Sequence, residues 1–229
     1  SSFMKNIIRI EKIRVHFRRT LCFLMLMIGI NILGLIMQNI ANKDELLDQL
    51  QFNYGQLFDA NQLRWVIIPV FLIQLYLLRV YLTRFESVRY SVEYRCIYKW
   101  KAFLMVLGLM LIFNFSNLLF CLFRFGRLQE MGLFIFSLMQ QLVLLVILGS
   151  LDYLLETFLN KRLIALLIVL SLGMFLPHLI LNKFFVAFFY SEGPFNWFSV
   201  CLLLMKAIFI MYIFYRFDEW LMYRREVII

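Results

Sequence analysis

The chain has 229 residues, of which 63% are hydrophobic and 16% are charged, with a formal net charge of +9. A soluble domain of this size cannot bury so much apolar surface, so the composition excludes the water-soluble classes and makes lipid the expected solvent. The apolar runs lack the alternation of barrel strands, which favours spanning helices whose backbone polar groups are satisfied internally.

The first element is a block of mixed cations and aliphatic residues at positions 4–19. Ile10, Ile13 and Phe17 recur every three or four residues, with Lys and Arg around them. This spacing predicts an amphipathic helix on the cytoplasmic membrane surface, just before the first span. The alternative is a positive flank that only orients that span.

Six apolar runs follow, each close to the roughly 20 residues that a helix needs to cross a bilayer. They cover residues 21–41, 64–82, 102–123, 131–154, 163–182 and 197–217. We therefore predict an all-α integral membrane protein with six transmembrane helices, one domain over 20–217 and a tail at 218–229. Pro69 and Pro177, near the ends of two runs, should kink or break their helices.

Two connections on the predicted outer side differ in character. The connection 42–63, between the first two runs, is acidic and is predicted to be an external loop. The connection 177–196, before the last run, is apolar but contains a Ser-Glu-Gly-Pro turn. This combination favours a short re-entrant segment that protein contacts support.

The connection 83–101 reads TRFESVRYSVEYRCIYKWK and is too polar to enter lipid. Helical spacing pairs Glu86 with Arg89 and Arg89 with Glu93. Tyrosines recur every four residues from Tyr90, so Tyr and Arg are interleaved, a composition that protein interfaces favour. We predict a docking segment on the cytoplasmic side. The alternatives are a solvated positive loop and aromatic side chains at the lipid headgroups.

Most of the 23 Lys and Arg residues fall on one side of the predicted spans. They lie in the N-terminal block, the connection 79–101, the pair Lys161 and Arg162, and the tail. Because cytoplasmic loops carry the excess of Lys and Arg, this side and both termini are predicted to be cytoplasmic. The same placement favours membrane topology over nucleic-acid binding.

Lys206 lies about halfway along the last run, where an ammonium costs several kcal/mol unless it snorkels or pairs. Two roles are open for it: a residue of a translocation path, or a structural pair that holds two helices together. Candidate partners are Asp152 and the amides of Asn114, Gln140 and Gln141. Asn114 and Asn117 share a helix face, and amides of this kind are expected to hydrogen-bond between helices, each bond worth on the order of 1 kcal/mol.

Catalytic and metal-binding patterns are absent from the sequence. The two histidines, His16 and His178, fall on opposite sides of the predicted spans, and the four cysteines lack metal-ligand spacing. No GxxxxGK(S/T) phosphate loop is present. The chain is therefore not expected to be an enzyme, to hydrolyse ATP or to bind a metal or other cofactor itself.

The layout resembles that of the membrane subunit of an ABC-2-type transporter. The similarity covers the whole chain and lies in the block MKNIIRIEKIRVHFRRT, the six spans with both ends inside, the charged connection 83–101, and the stretch PHLILNKFFVAFFYSEGPFNW. In that family the first block is an elbow helix, the segment between spans two and three docks on the ATPase, and a re-entrant hairpin follows span five. The short loops are similar to those of permeases in bacterial peptide or bacteriocin export and self-protection systems.

The resemblance implies a transport subunit in the cell membrane. A separate ABC ATPase subunit would bind ATP and Mg²⁺, and a second permease subunit, identical or different, would complete the path. The apolar, Phe-rich spans favour a peptide, amphipathic or lipid-like substrate. The residues that the resemblance assigns to ATPase coupling are Arg84, Glu86, Arg89, Tyr90, Glu93, Tyr94 and Arg95.

Two other classes are open from the residues. A membrane immunity or regulatory protein without ATP coupling would leave the aromatic face of 83–101 at the headgroups. An intramembrane enzyme would require His178 or Lys206 to converge with Asp152.

Overall fold

A computed structural model of the protein describes residues 17–41, 63–78, 90–125, 131–180 and 196–228. The prediction of an all-helical protein is confirmed for these residues, which contain no strand. The helices are α1 (Phe17–Ala41), a π-helical turn (Leu63–Ile67) that leads into α2 (Ile68–Leu78), α3 (Val92–Phe125), α4 (Met131–Leu159), α5 (Arg162–Ile180) and α6 (Trp197–Ile228).

Three of these helices are long and apolar enough to cross a membrane. The stretches that qualify are Val92–Phe120 in α3, Phe134–Leu159 in α4 and Trp197–Arg225 in α6. Two further apolar helices, Leu63–Leu78 and Arg162–Phe175, are shorter within the described ranges. The structure therefore supports a helical membrane protein, whereas the number of six spans stays a prediction.

Two helix boundaries differ from those predicted. α3 begins at Val92, so the second half of the segment 83–101 and the span after it form one continuous helix. No glycine or proline interrupts residues 92–107, so nothing in the sequence ends the helix at the polar-to-apolar boundary. α6 likewise continues to Ile228, through most of the predicted tail.

Several predicted features lie wholly or mostly outside the described residues. They are the amphipathic block 4–19, the external loop 42–63, the first half of the docking segment, and the re-entrant segment 177–196.

Of Pro69 and Pro177, only Pro69 lies at a change in helix geometry. The chain passes from the π-helical turn to the α-helix of α2 at Ile68, directly before Pro69. A proline lacks the N–H that an α-helix needs, so a changed hydrogen-bond register before it is expected. α5 continues through Pro177 and ends at Ile180.

α3 and α4 form an antiparallel hairpin. Phe115 of α3 contacts Phe134 near the start of α4, with ring centroids 6.2 Å apart. Trp100, near the start of α3, contacts Tyr153 near the end of α4, with centroids 5.4 Å apart. Since the contacts advance in opposite directions along the chain, the two helices run antiparallel.

α6 is antiparallel to α3 by the same reasoning. The Tyr223 hydroxyl donates to Glu93 Oε1 at 3.0 Å, and Tyr215 packs on Trp100 with ring centroids 6.0 Å apart. The first contact joins the end of α6 to the start of α3, and the second lies further into both helices.

α2 and α5 are antiparallel as well. Gly173 lies against Ile68 at one end of this pair, and Arg162 lies against Tyr76 at the other. α5 follows α4 after a tight turn at residues 160–161, where Asn160 adopts a left-handed conformation (φ 57°) and donates its N–H to the Glu156 carbonyl at 2.9 Å. This is a common way to end a helix.

The starts of α3 and α5 and the ends of α2, α4 and α6 therefore lie together at one end of the bundle, which we call the basic end. Cations that the sequence analysis assigned to a single side of the membrane are gathered here. They are Arg95, Lys99, Lys101, Lys161, Arg162, Arg216, Arg224 and Arg225.

The core between α2, α3 and α4 depends on a close helix approach at Gly149. A Cβ at this position would overlap the ring of Phe103 and lie 3.0 Å from Cε1 of Phe71. Phe71 and Phe103 pack edge to face, with centroids 6.0 Å apart, and both are fully buried. Small residues allow such close contacts between membrane helices.

We expect Gly149→Ala to destabilise the fold by about 1–3 kcal/mol, because the added methyl group forces both phenylalanines out of position. Gly108→Ala is the matched control, since a Cβ at Gly108 meets nothing within 4 Å. Thermal unfolding in detergent should show a lowered midpoint for the first variant alone. Equal midpoints would contradict the close approach at Gly149.

Candidate functional site

The described part of the predicted docking segment is the first turns of α3. Ser91 caps this helix: its Oγ accepts the N–H of Tyr94 at 3.3 Å, and its carbonyl accepts that of Arg95 at 3.1 Å. A serine at this position satisfies N–H groups that have no partner within the helix. The cap fixes where the helix starts and how its first side chains are displayed.

The tyrosine row of the docking segment is divided between surface and core. Tyr90 stacks on Tyr94 with centroids 4.9 Å apart, and both rings are half-buried. Tyr98 is buried among the helices. The surface available to a partner at this end therefore includes the Tyr90–Tyr94 pair rather than the whole row.

The charged residues predicted to couple to an ATPase are only partly described. Glu93 is exposed and accepts the hydroxyl proton of Tyr223, which ties it to the end of α6. Arg95 is half-buried. The remaining three, Arg84, Glu86 and Arg89, lie outside the described residues.

A buried ion pair lies directly behind this surface. Lys99 Nζ of α3 is 3.1 and 3.2 Å from the two carboxylate oxygens of Asp218 in α6. Lys99 is 4% exposed and Asp218 is 0% exposed. Charges buried to this degree are tolerated only when they are paired and hydrogen-bonded.

Both charges make further hydrogen bonds: Lys99 donates to groups of α4, and Asp218 accepts from side chains of α3 and α4. Lys99 Nζ donates to the Tyr153 carbonyl at 2.8 Å and to Thr157 Oγ1 at 2.7 Å, while Trp100 Nε1 donates to Asp218 Oδ2 at 3.0 Å. The Thr157 hydroxyl donates in turn to Asp218 Oδ1. We call this network the clasp; its members are Cys96, Lys99, Trp100, Tyr153, Thr157 and Asp218.

Aromatic rings surround the clasp and keep it dry. Lys99 Nζ lies 4.9 Å from the ring centroid of Tyr153, a cation–π distance. Trp100 is 5% exposed and packs against Phe103 on its other side, with centroids 5.3 Å apart. The Cys96 thiol lies 3.9 Å from Asp218 Oδ2. In this low-dielectric setting the pair interacts strongly and is costly to separate.

Two further cations of the basic end donate hydrogen bonds to backbone carbonyls of neighbouring helices. Arg162 donates from Nη2 to the Tyr76 carbonyl at 2.5 Å, with its guanidinium 4.9 Å from the Tyr76 ring. Arg225 donates to the Phe158 carbonyl at 3.0 Å. Phe158 lies in the last turn of α4, where carbonyls lack helical partners and the helix dipole attracts positive charge.

The clasp is suited to holding helices rather than to chemistry on a substrate. The Lys99 ammonium donates its three protons to Asp218, Thr157 and the Tyr153 carbonyl. Its positive charge is therefore already satisfied by acceptors within the protein. The ranges that the structure describes hold no group of three or more His, Cys, Asp or Glu able to bind a metal ion.

Two pairs of the amides predicted within the spans join neighbouring helices. Asn114 Nδ2 donates to Gln141 Oε1 at 2.5 Å between α3 and α4, and Asn31 of α1 donates to Asn117 Oδ1. These amides thus hydrogen-bond between helices. Gln140 and Asp152 are buried in α4, and Lys206 is half-buried in α6.

Sequence reasoning missed the partners of the clasp. The charge pattern predicts only that Lys99 is a cation of the cytoplasmic side, and Asp218 falls in the predicted tail. The available signal was the setting of Asp218, a carboxylate between aromatic residues in the stretch FYRFDEW. A charge so placed at the end of an apolar helix requires a buried partner or exposure.

No protein-family profile, no curated protein and no solved structure matches this chain.

We expect Lys99→Met to destabilise the protein by about 3–5 kcal/mol, because it leaves the Asp218 carboxylate buried without its counter-charge. The control is Arg216→Met, which breaks an exposed ion pair with Glu219 (2.8 Å). Such exposed pairs contribute about 0–1 kcal/mol. Unfolding in mixed micelles measures both variants, and similar losses in the two would contradict a dominant role for the buried pair.

Proposed function

We propose that this protein is the membrane-spanning permease subunit of an ATP-driven transporter of the ABC-2 type. A separate ATPase docks on the segment 83–101 at the basic end, and a second permease subunit completes the translocation path. The observation that carries the proposal is the continuity of the docking segment with α3 and, through the clasp, with α4 and α6. A docking site joined to several spanning helices is what energy coupling requires.

Helix directions support six alternating spans. In a six-span chain, α3 runs opposite to α4 and α6, and α2 runs opposite to α5, and these are the directions that the contacts give. α1 has 25 residues, which exceeds the roughly 20 needed to cross a bilayer. The predicted second and fifth spans, 64–82 and 163–182, extend past the described ends of α2 and α5.

The distribution of charge supports the cytoplasmic location of the basic end and of both termini in a multi-pass cell-membrane protein. Eight described cations gather there, and the positive-inside rule places such an end in the cytoplasm. Nucleotide is available on this side, so an ATPase partner meets the docking segment where the proposal requires it.

The surface at the basic end supports protein docking. It combines the Tyr90–Tyr94 stack, the exposed Glu93 and the half-buried Arg95 at the start of α3. Tyr and Arg are enriched at the energetic centres of protein interfaces. Glu93, Tyr94 and Arg95 belong to a continuous helix capped by Ser91, so little order has to be gained on binding.

The proposed cargo is a peptide, an amphipathic molecule or a lipid-like molecule. α6 displays large apolar side chains to its surroundings, among them Phe198, Met205 and Phe209, each more than 60% exposed. Such a surface suits lipid and apolar cargo alike, and a transported ligand must bind the two conformations of a transporter with different affinities.

We expect Arg89→Glu to lower transport-coupled ATPase activity while membrane insertion stays intact, because reversing a charge within the proposed docking segment opposes association. Lys161→Glu is the matched control: an exposed cation at the same end, outside the docking segment. ATP hydrolysis and transport are measured in vesicles that contain the chain with its co-purified partner. Unchanged coupling in Arg89→Glu would contradict the placement of the docking site.

A further inference from the structure

We propose that the clasp is the mechanical joint through which movement of the docking segment reaches α4 and α6, with Lys99 and Asp218 as its positioning residues. The inference rests on the proposed function and adds to it a route for the force. If force passed only through the spans on either side of the docking segment, it would not reach α6. The clasp instead connects that segment directly to the last helix.

The first step of the route is the helix α3 itself. Lys99 and Trp100 lie about two turns after the Ser91 cap, within a helix that continues unbroken to Phe125. Displacement of the first turns of this helix therefore displaces both side chains with them. Helices transmit such movement because their backbone hydrogen bonds keep the turns in fixed register.

The second step is the transfer to α6 and α4. Asp218 accepts hydrogen bonds from Lys99 and Trp100 on one side and from Thr157 on the other, and it is fully buried. Separating these groups would leave a charge without a partner in an apolar setting. The three helix ends are therefore expected to move as one body, rather than to slide past one another.

The apolar stretch of α6 is packed less completely than that of α4. In its apolar stretch only 17% of residues are buried, compared with 67% in that of α4. A narrow stripe that includes Val200, Leu203 and Ala207 is buried on the inner side of α6. At the basic end, side chains of α6 such as Phe214 and Tyr215 also pack against the core, and the clasp adds to this packing a polar attachment of α6 to α3 and α4.

The exposed contacts nearby are weaker candidates for this role. The Arg216–Glu219 pair lies within α6 itself and so joins no two helices. The Tyr223–Glu93 hydrogen bond does join α6 to α3, but both of its residues are exposed and water competes for it. Neither contact can hold α6 to α3 as strongly as the buried ion pair does.

The test replaces the clasp with apolar side chains in the full chain, together with its co-purified ATPase. A buried ion pair replaced on both sides by apolar residues of similar size often keeps its fold, so Lys99→Met/Asp218→Leu removes the joint without leaving an unpaired charge. The matched control is the double variant Arg216→Met/Glu219→Leu, which removes the exposed pair.

We expect the clasp variant to assemble with the ATPase and to lose transport by about tenfold or more, a typical size for energetic coupling between sites. The control should stay within about twofold of the unmodified protein, as for other exposed pairs. Transport by a folded, ATPase-bound clasp variant within about twofold of the unmodified protein would overturn the inference. Absence of an ATPase from the unmodified chain would instead reject the proposed function.

A second measurement avoids dependence on how the double variant folds. Spin labels are placed at Ile97 of α3 and Tyr212 of α6, both exposed, after the exposed Cys22 and Cys201 and also Cys121 are changed to serine. The clasp predicts the same distance distribution between the labels with and without ATP on the partner. A nucleotide-dependent change in that distance would show that α3 and α6 move separately, which overturns the inference.

Discussion

The ion pair between Lys99 and Asp218 sets the arrangement of the basic end. Two opposite charges are held away from water, and the cost of burying them is offset only if their hydrogen-bonding groups find partners. Trp100, Thr157 and the Tyr153 carbonyl provide those partners, and each comes from a fixed position on α3 or α4. This requirement draws three helix ends together and thereby connects the proposed docking surface to the bundle.

A different constraint operates along the rest of the helices, where apolar packing has little directional preference. There the spacing is set by small residues and by amides. Gly149 lets α4 approach the phenylalanines of α2 and α3, and the Asn114–Gln141 hydrogen bond fixes the register of α3 on α4. The bundle thus combines a dry core, amide pairs between helices and a polar network at one end, and it turns broad apolar surfaces toward its surroundings.

Composition and periodicity were sufficient to predict a helical membrane protein and the approximate positions of its apolar helices, because lipid imposes length and hydrophobicity on every span. The same rules do not show where a helix ends outside lipid, which is why the start of α3 at Val92 and the extension of α6 to Ile228 were not predicted. The pairing of Lys99 with Asp218 joins residues more than a hundred positions apart, and spacing within one helix carries no information about such a contact. Interhelical bonds for Asn114 and Asn117 were expected from the cost of an unpaired amide in lipid, but their partners depended on the tertiary arrangement.

In the proposed function, this bundle receives energy from a partner at its basic end. The most direct test is purification of the tagged chain from its native host in mild detergent, followed by mass spectrometry and by crosslinking from a photoreactive residue placed at Tyr90. We expect a stoichiometric soluble protein that contains a phosphate-binding GxxxxGK(S/T) loop and crosslinks to this position. If the chain is recovered alone, or with other membrane proteins only, under conditions that preserve known complexes, the transporter assignment is contradicted and an immunity or regulatory role without ATP coupling takes its place.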